Sequence, residues 1–179
     1  MTTQHPTTVV ACDVPLDSVL DRRTIDAAYF RDSYRVALSK PDASVTDIFI
    51  AIFGHHPAWI KALLIVRNRI AKLCGLDVPS ASQILTTHVK AHYTVGDRIG
   101  PWPLFFLSEH ELVAGRNNWH LDFRLSVLKT AEHGSGNVVV STICSVHNVY
   151  GKVYLFFIVP FHKWGVQFLL ARAIRAGRL

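Results

Sequence analysis

The chain is short of nearly every pattern that announces a familiar chemistry. It has three cysteines in 179 residues, Cys12, Cys74 and Cys144, far apart and odd in number. They form no CxxC pair and no complete disulfide framework, so a reducing, cytoplasmic setting is expected. Charged residues are only 18% against 50% hydrophobic, which excludes a disordered or low-complexity protein. There is no GxSxG, no GxGxxG and no phosphate-loop glycine pattern. No spacing chelates a metal: His55 and His56 are adjacent, and His88 and His92 are expected on extended chain. Neither metal nor cofactor is therefore expected. Basic and aromatic residues do not interleave as on an RNA-binding sheet, so no nucleic-acid partner is expected. The N-terminus has no basic stretch leading into an apolar run, which argues against a secretory signal. The longest apolar run, Val153–Phe161, is about half of a bilayer crossing, so no transmembrane segment is expected.

What is present fits one domain with a real core. The mean hydropathy is positive, which asks for a large core or a lined apolar cavity. There are 19 Lys and Arg against 13 Asp and Glu, a net charge of +6, with ten histidines besides. That bias is too mild for a dedicated nucleic-acid binder. Residues 1–25, with Pro6 and Pro15, read as a loose N-terminal arm with a short docking segment, and 26–179 as a single domain. Phe30, Tyr34, Val36 and Leu38 alternate with polar residues, a strand pattern. Ser44 with Asp47 resembles a capping box opening a helix with Ile48, Phe49, Ile52 and Phe53 on one face, stopped by Gly54. Pro57 restarts a second helix, with Trp59, Leu63, Val66, Ile70 and Leu73 as a buried stripe. Gly75 stands in its cap position, and Lys61, Arg67, Arg69 and Lys72 form a solvated basic face. From Thr86 the chain reads as strands and turns. Three successive strands, Trp119–Lys129, Asn137–His147 and Lys152–Val159, make an antiparallel meander. Pro160 is expected to end the sheet and start a terminal helix. The fold class is therefore α+β, a curved antiparallel sheet packed on a long C-terminal helix, with two helices inserted after the first strand. A gap between such a sheet and its helix is a natural ligand cavity.

The most informative strand carries Leu121, Phe123, Leu125 and Val127 on one face and His120, Asp122, Arg124 and Ser126 on the other. Asp122 is placed to fix the tautomer of His120, and the planar fork of Arg124 suits a carboxylate or an anionic ligand. The same stripe is also what the wet face of an antiparallel sheet looks like. His147 and Asn148 end the next strand, and His162 stands at the start of the last helix. If registers allow, these converge with His120 at one end of the sheet.

The segment from Gly115 through His120-Leu-Asp122-Phe-Arg124, the run His147-Asn148-Val-Tyr-Gly151-Lys-Val-Tyr154, Pro160-Phe-His162, and the upstream Pro57-Ala-Trp59 with Leu63, Leu64, Arg67, Asn68, Gly75 and Leu76 resemble the bacterial family called domain of unknown function 2867. The resemblance implies a helix-grip fold of the START and Bet v 1-like class, and a stand-alone copy of a domain that elsewhere follows a dinucleotide-binding domain. It carries no established reaction. Acidic residues usual before the motif histidine are replaced here by Arg116-Asn117-Asn118. The expected function is a module that binds a small apolar or amphipathic ligand, with His120, Asp122, Arg124, His147, Asn148, Tyr154 and His162 as candidate ligand-binding residues. The alternative is an enzyme on the same scaffold, with His120 and Asp122 as candidate acid/base residues and Arg124 stabilising charge on a polyketide-, terpenoid- or lipid-like substrate. A third reading is peripheral interaction through the basic helices Lys61–Lys72 and Lys163–Arg178.

Overall fold

The computed structural model describes residues 8–73, 90, 92–132 and 135–179. Cys74, Gly75, Leu76, His88 and the turn residues His133 and Gly134 lie outside the described residues. The fold is α+β, built on a seven-stranded antiparallel sheet and a long C-terminal helix. The strands are β1 (Val10–Ala11), β2 (Phe30–Ala37), β3 (Arg98–Ile99), β4 (Trp102–Leu107), β5 (Glu111–Asn117), β6 (Leu121–Glu132) and β7 (Ser135–Val146). The helices are α1 (Arg22–Ala27), α2 (Val45–Phe53), α3 (Ala58–Leu73) and α4 (Val149–Arg175). Sheet order is β1-β2-β7-β6-β5-β4-β3, so the strand before the helices closes beside the last strand.

Local chemistry sets the boundaries. The Ser44 hydroxyl accepts from the Asp47 amide at 3.1 Å and donates to its carboxylate at 2.7 Å, and α2 starts there. The Gly54 amide donates to Ile50 at 2.7 Å and ends it. β6 and β7 pair along their whole length, from Leu121 opposite Val146 to Glu132 opposite Ser135.

The two faces of the sheet have different covers. Val36, Leu112, Ala114, Leu125, Val127, Val138 and Val140 meet α2 through Ile48, Phe49 and Ile52, and meet the second half of α4 through Val166, Leu169, Leu170 and Ala173. On the other face the arm is docked more firmly than the sequence implied. β1 pairs with β2, and Val14 and Ile25 close over Ile143.

Expectations for two of the helices fail. Lys152–Val159 is not a strand, and Pro160 does not start the last helix: α4 begins at Val149 and runs through Pro160. The Asn148 side chain caps it by accepting from the Gly151 amide at 3.2 Å. An apolar, β-branched and aromatic run without polar punctuation cannot separate strand from helix by periodicity. α3 also departs from the stripe expected at its described positions, the side chains of Ile70 and Leu73 lying outside the described residues. Trp59, Leu63 and Val66 are 46%, 44% and 51% exposed, whereas Ile60 and Asn68 are buried. Its apolar residues run nearly all round, so the 4-3-4-3 spacing fits more than one face. The basic face is split as well. Arg67 turns inward over Tyr154, 5.3 Å from the ring centre, and burial with Arg116 nearby holds its guanidinium down to about 10.

The loop between α2 and α3 makes stability pH-dependent. Burial, then the cations Lys61 and Arg172, depress His56 from 6.5 to about 4. The unfolded chain therefore binds the extra proton between these values. The stabilising preference for neutral His56 is complete above pH 6.5 and is lost as pH falls toward 4, by up to roughly 3 kcal/mol. Urea unfolding at about pH 7 and about pH 4.5 should show a larger acid loss in the native chain than in His56→Gln. Equal losses in the two proteins would remove His56 as the cause.

Candidate functional site

The motif residues separate into three places. The first is a joint between the turn entering β6 and the start of α4. His120 is buried there, edge-on to Tyr154 at 5.7 Å and to Trp119 at 5.4 Å. Its carbonyl accepts from the His147 amide at 3.0 Å, and Asn148 Nδ2 donates to the Trp119 carbonyl at 3.0 Å. His147 Nε2 lies 3.2 Å from Asp122 Oδ1. Asp122 therefore meets His147 rather than the neighbours on its own strand. His120, Asp122, His147, Asn148 and Tyr154 do come together, mainly as a hinge-pin for α4.

The second place is the sheet face away from α4. Leu125 and Val127 point to the helices, so Asp122, Arg124 and Ser126 point away from them. The charged rungs do not look into the space beneath α4. Arg124 stacks over Phe105 at 4.0 Å and donates to the Phe123 carbonyl at 2.9 Å. Burial lowers its pKa and the charge of Asp122 works against that shift. Ser126 donates to the buried Glu111 carboxylate at 2.5 Å, which also accepts from the Ser18 hydroxyl and the Val19 amide at 2.7 Å each. Glu111 is thus the clasp of the N-terminal arm.

The third place lies directly under α4. His162 Nε2 is 3.4 Å from Asp32 Oδ1, with its ring edge-on to Phe30 at 5.6 Å. The Asp32 side chain is 9% exposed, and its Oδ2 and the Oγ1 of Thr142, its partner across the strands, are buried without a hydrogen bond. Two residues on from Asp32, the Tyr34 hydroxyl accepts from Gln167 at 3.3 Å. Burial and then the charge of Asp32 raise the Tyr34 phenol, and the same two causes push the Cys144 thiol up to about 12. A carboxylate, an imidazole, a phenol and a hydroxyl therefore meet inside an apolar layer with spare bonding capacity. Sequence reasoning found only His162 of this group. The signal was there: Asp32 interrupts an otherwise apolar row from Phe30 to Leu38.

Two surface concavities lie elsewhere. One of about 290 Å³ is bounded by Ser44, Asp47, Lys90 and Tyr93, and one of about 460 Å³ by Asp17, His110, Glu111 and Lys129. No group of three or more metal-ligating side chains occurs among the described residues.

The joint has a sharp steric requirement. A Cβ on Gly151 would stand 2.2 Å from the His120 carbonyl, whereas one on Gly165, in the same helix, would meet nothing within 4 Å. Gly151→Ala should cost roughly 2–4 kcal/mol. Gly165→Ala should be neutral or stabilising by up to about 1 kcal/mol. Thermal unfolding of both variants checks the pair, and equal midpoints would contradict the docking.

A family model described as "Protein of unknown function (DUF2867)" matches residues 24–168. No curated protein and no solved structure matches the chain. The matched stretch covers β2 to the second half of α4, with the joint, the rungs and the Asp32–His162 pair all inside it, and the chain belongs to this family of proteins of unknown function.

Proposed function

We propose that the chain is a small-molecule-binding module of the helix-grip, START-like kind, taking one amphipathic ligand between the inner sheet face and α4. The strand order and the helix laid across the sheet support the fold reading. The observation that carries the function is Asp32, whose side chain is 9% exposed and whose Oδ2 has no hydrogen bond, set between His162 and the Tyr34 phenol. A protein interior rarely leaves such an acceptor open, because desolvating it costs energy that no partner returns. A ligand hydroxyl or amine would donate to that oxygen while its apolar body meets Phe30, Phe123 and Leu155. A ligand would have to part the first half of α4 from the sheet. That half rests on the smaller cluster of Leu121, Cys144 and Leu155, and Pro160 removes one of its backbone donors.

The test is organic extraction and mass spectrometry of the denatured protein, followed by rebinding of the recovered compound. The expected result is one compound near equimolar amount, with Asp32→Asn binding it about 10- to 100-fold more weakly, the worth of a charge-assisted hydrogen bond. Asp32→Asn should at the same time unfold no earlier than the native chain, because the isosteric amide removes a buried charge. Unchanged affinity in that variant would refute the site.

The same cluster favours a second reading, an acid/base enzyme acting on a polyketide-, terpenoid- or lipid-like molecule. Here the pair is His162 with Asp32, and Tyr34 is a further proton donor. Turnover of the recovered compound, lost in both His162→Gln and Asp32→Asn, distinguishes this from binding alone.

A further inference from the structure

One face of α4 is apolar and uncovered for four turns. Val149, Tyr150, Val153, Phe156, Phe157, Phe161 and Trp164 recur at helical spacing on the side away from the sheet, with Phe156 75% and Phe157 62% exposed. The stripe spans roughly 22 Å at 1.5 Å per residue. It does not stop at the helix. Trp164 lies 5.3 Å from Trp59 of α3, and from Trp59 the exposed Ala62, Leu63 and Val66 lead to Arg69 and Lys72, both exposed. At the other end Tyr150 meets the exposed Trp119 at 5.4 Å. An exposed apolar surface of this extent on a folded chain marks a contact surface.

Charge says what covers it. α3 and α4 contain no Asp or Glu at all, although the chain has 13. They carry Lys61, Arg67, Arg69, Lys72, Lys152, Lys163, Arg172 and Arg175. Lys152 and Lys163 are exposed and flank the aromatic stripe. Asp122, on the strand beside the start of α4, lies 3.2 Å from His147 Nε2. Aromatic side chains between cations, with acids excluded, match the headgroup region of an anionic bilayer, where Trp and Tyr settle and Lys and Arg meet phosphate. By length and composition α4 is long and apolar enough to cross a membrane. Its other face, through Gly151, Leu155, Val166, Leu169 and Ala173, is already committed to the sheet, so the helix lies along a bilayer instead of through it.

We propose that the chain docks peripherally on anionic phospholipid membranes through the outward faces of α3 and α4. The inference stands on the surface alone and is independent of the Asp32 site. The test uses the full chain with vesicles of phosphatidylcholine, alone or mixed with phosphatidylglycerol, read by co-sedimentation and by Trp fluorescence. Partitioning should be about tenfold or more higher on the anionic vesicles and should fall steeply with salt. Phe156→Ser with Phe157→Ser should reduce it by at least about tenfold. Lys152→Glu with Lys163→Glu should abolish the preference for phosphatidylglycerol. Leu16→Ser, another exposed apolar position, should change nothing. Circular dichroism confirms that each variant is folded. Asp32→Asn should dock as the native chain does, which separates this result from the ligand reading. Failure to bind either vesicle overturns the proposal, as does equal loss in Leu16→Ser. So does a stable dimer without vesicle binding that Phe156→Glu dissociates.

Discussion

One helix has to close the apolar face of the sheet, and the contact that positions it is a backbone contact. Gly151 brings the first turn of α4 against the His120 carbonyl at a separation that no side chain tolerates. The Asn148 cap and the His147 amide fasten the same few residues to the turn entering β6. From that anchor the direction of α4 is set. It crosses Leu121 and Cys144 first, then Val138 and Val140 farther along. Everything beneath it, including Asp32 and His162, is placed by where the helix starts.

The motif residues thereby change their meaning. His120, His147 and Asn148 are the kind of residues that advertise chemistry, yet here much of what they do is hold two pieces of backbone together. Arg124 and Ser126 work on the opposite side of the sheet, where Arg124 braces Phe105 and Ser126 satisfies Glu111. The cluster with spare bonding capacity is assembled from β2, β7 and α4, distant in sequence, and only the fold brings them together.

β2, α2, β6 and β7 were readable as elements because each has local punctuation (alternation, a capping serine, a stop glycine or a turn), although β6 and β7 run two or three residues farther toward the turn between them than expected. α4 was misread in its first half for the opposite reason. Val153 to Val159 has no polar position to betray its period, and Pro160 looked like an end when the helix simply runs through it. The stripe on α3 was misassigned because that helix is apolar on nearly every side. The Asp122–His147 contact depends on the β6–β7 register, which alternation alone leaves open. Asp32 was visible as a misplaced carboxylate in an apolar row, but its partner His162 lies 130 residues away.

The clasp at Glu111 carries a consequence for where this domain starts. The family match opens at residue 24, after Ser18 and Val19, yet those two residues supply two of the three hydrogen bonds given to a carboxylate sealed in the sheet. A fragment cut at the family boundary would lose two of the three donors to that carboxylate together with the segment that covers it. Ser18 and Val19 are part of how the sheet satisfies its buried carboxylate.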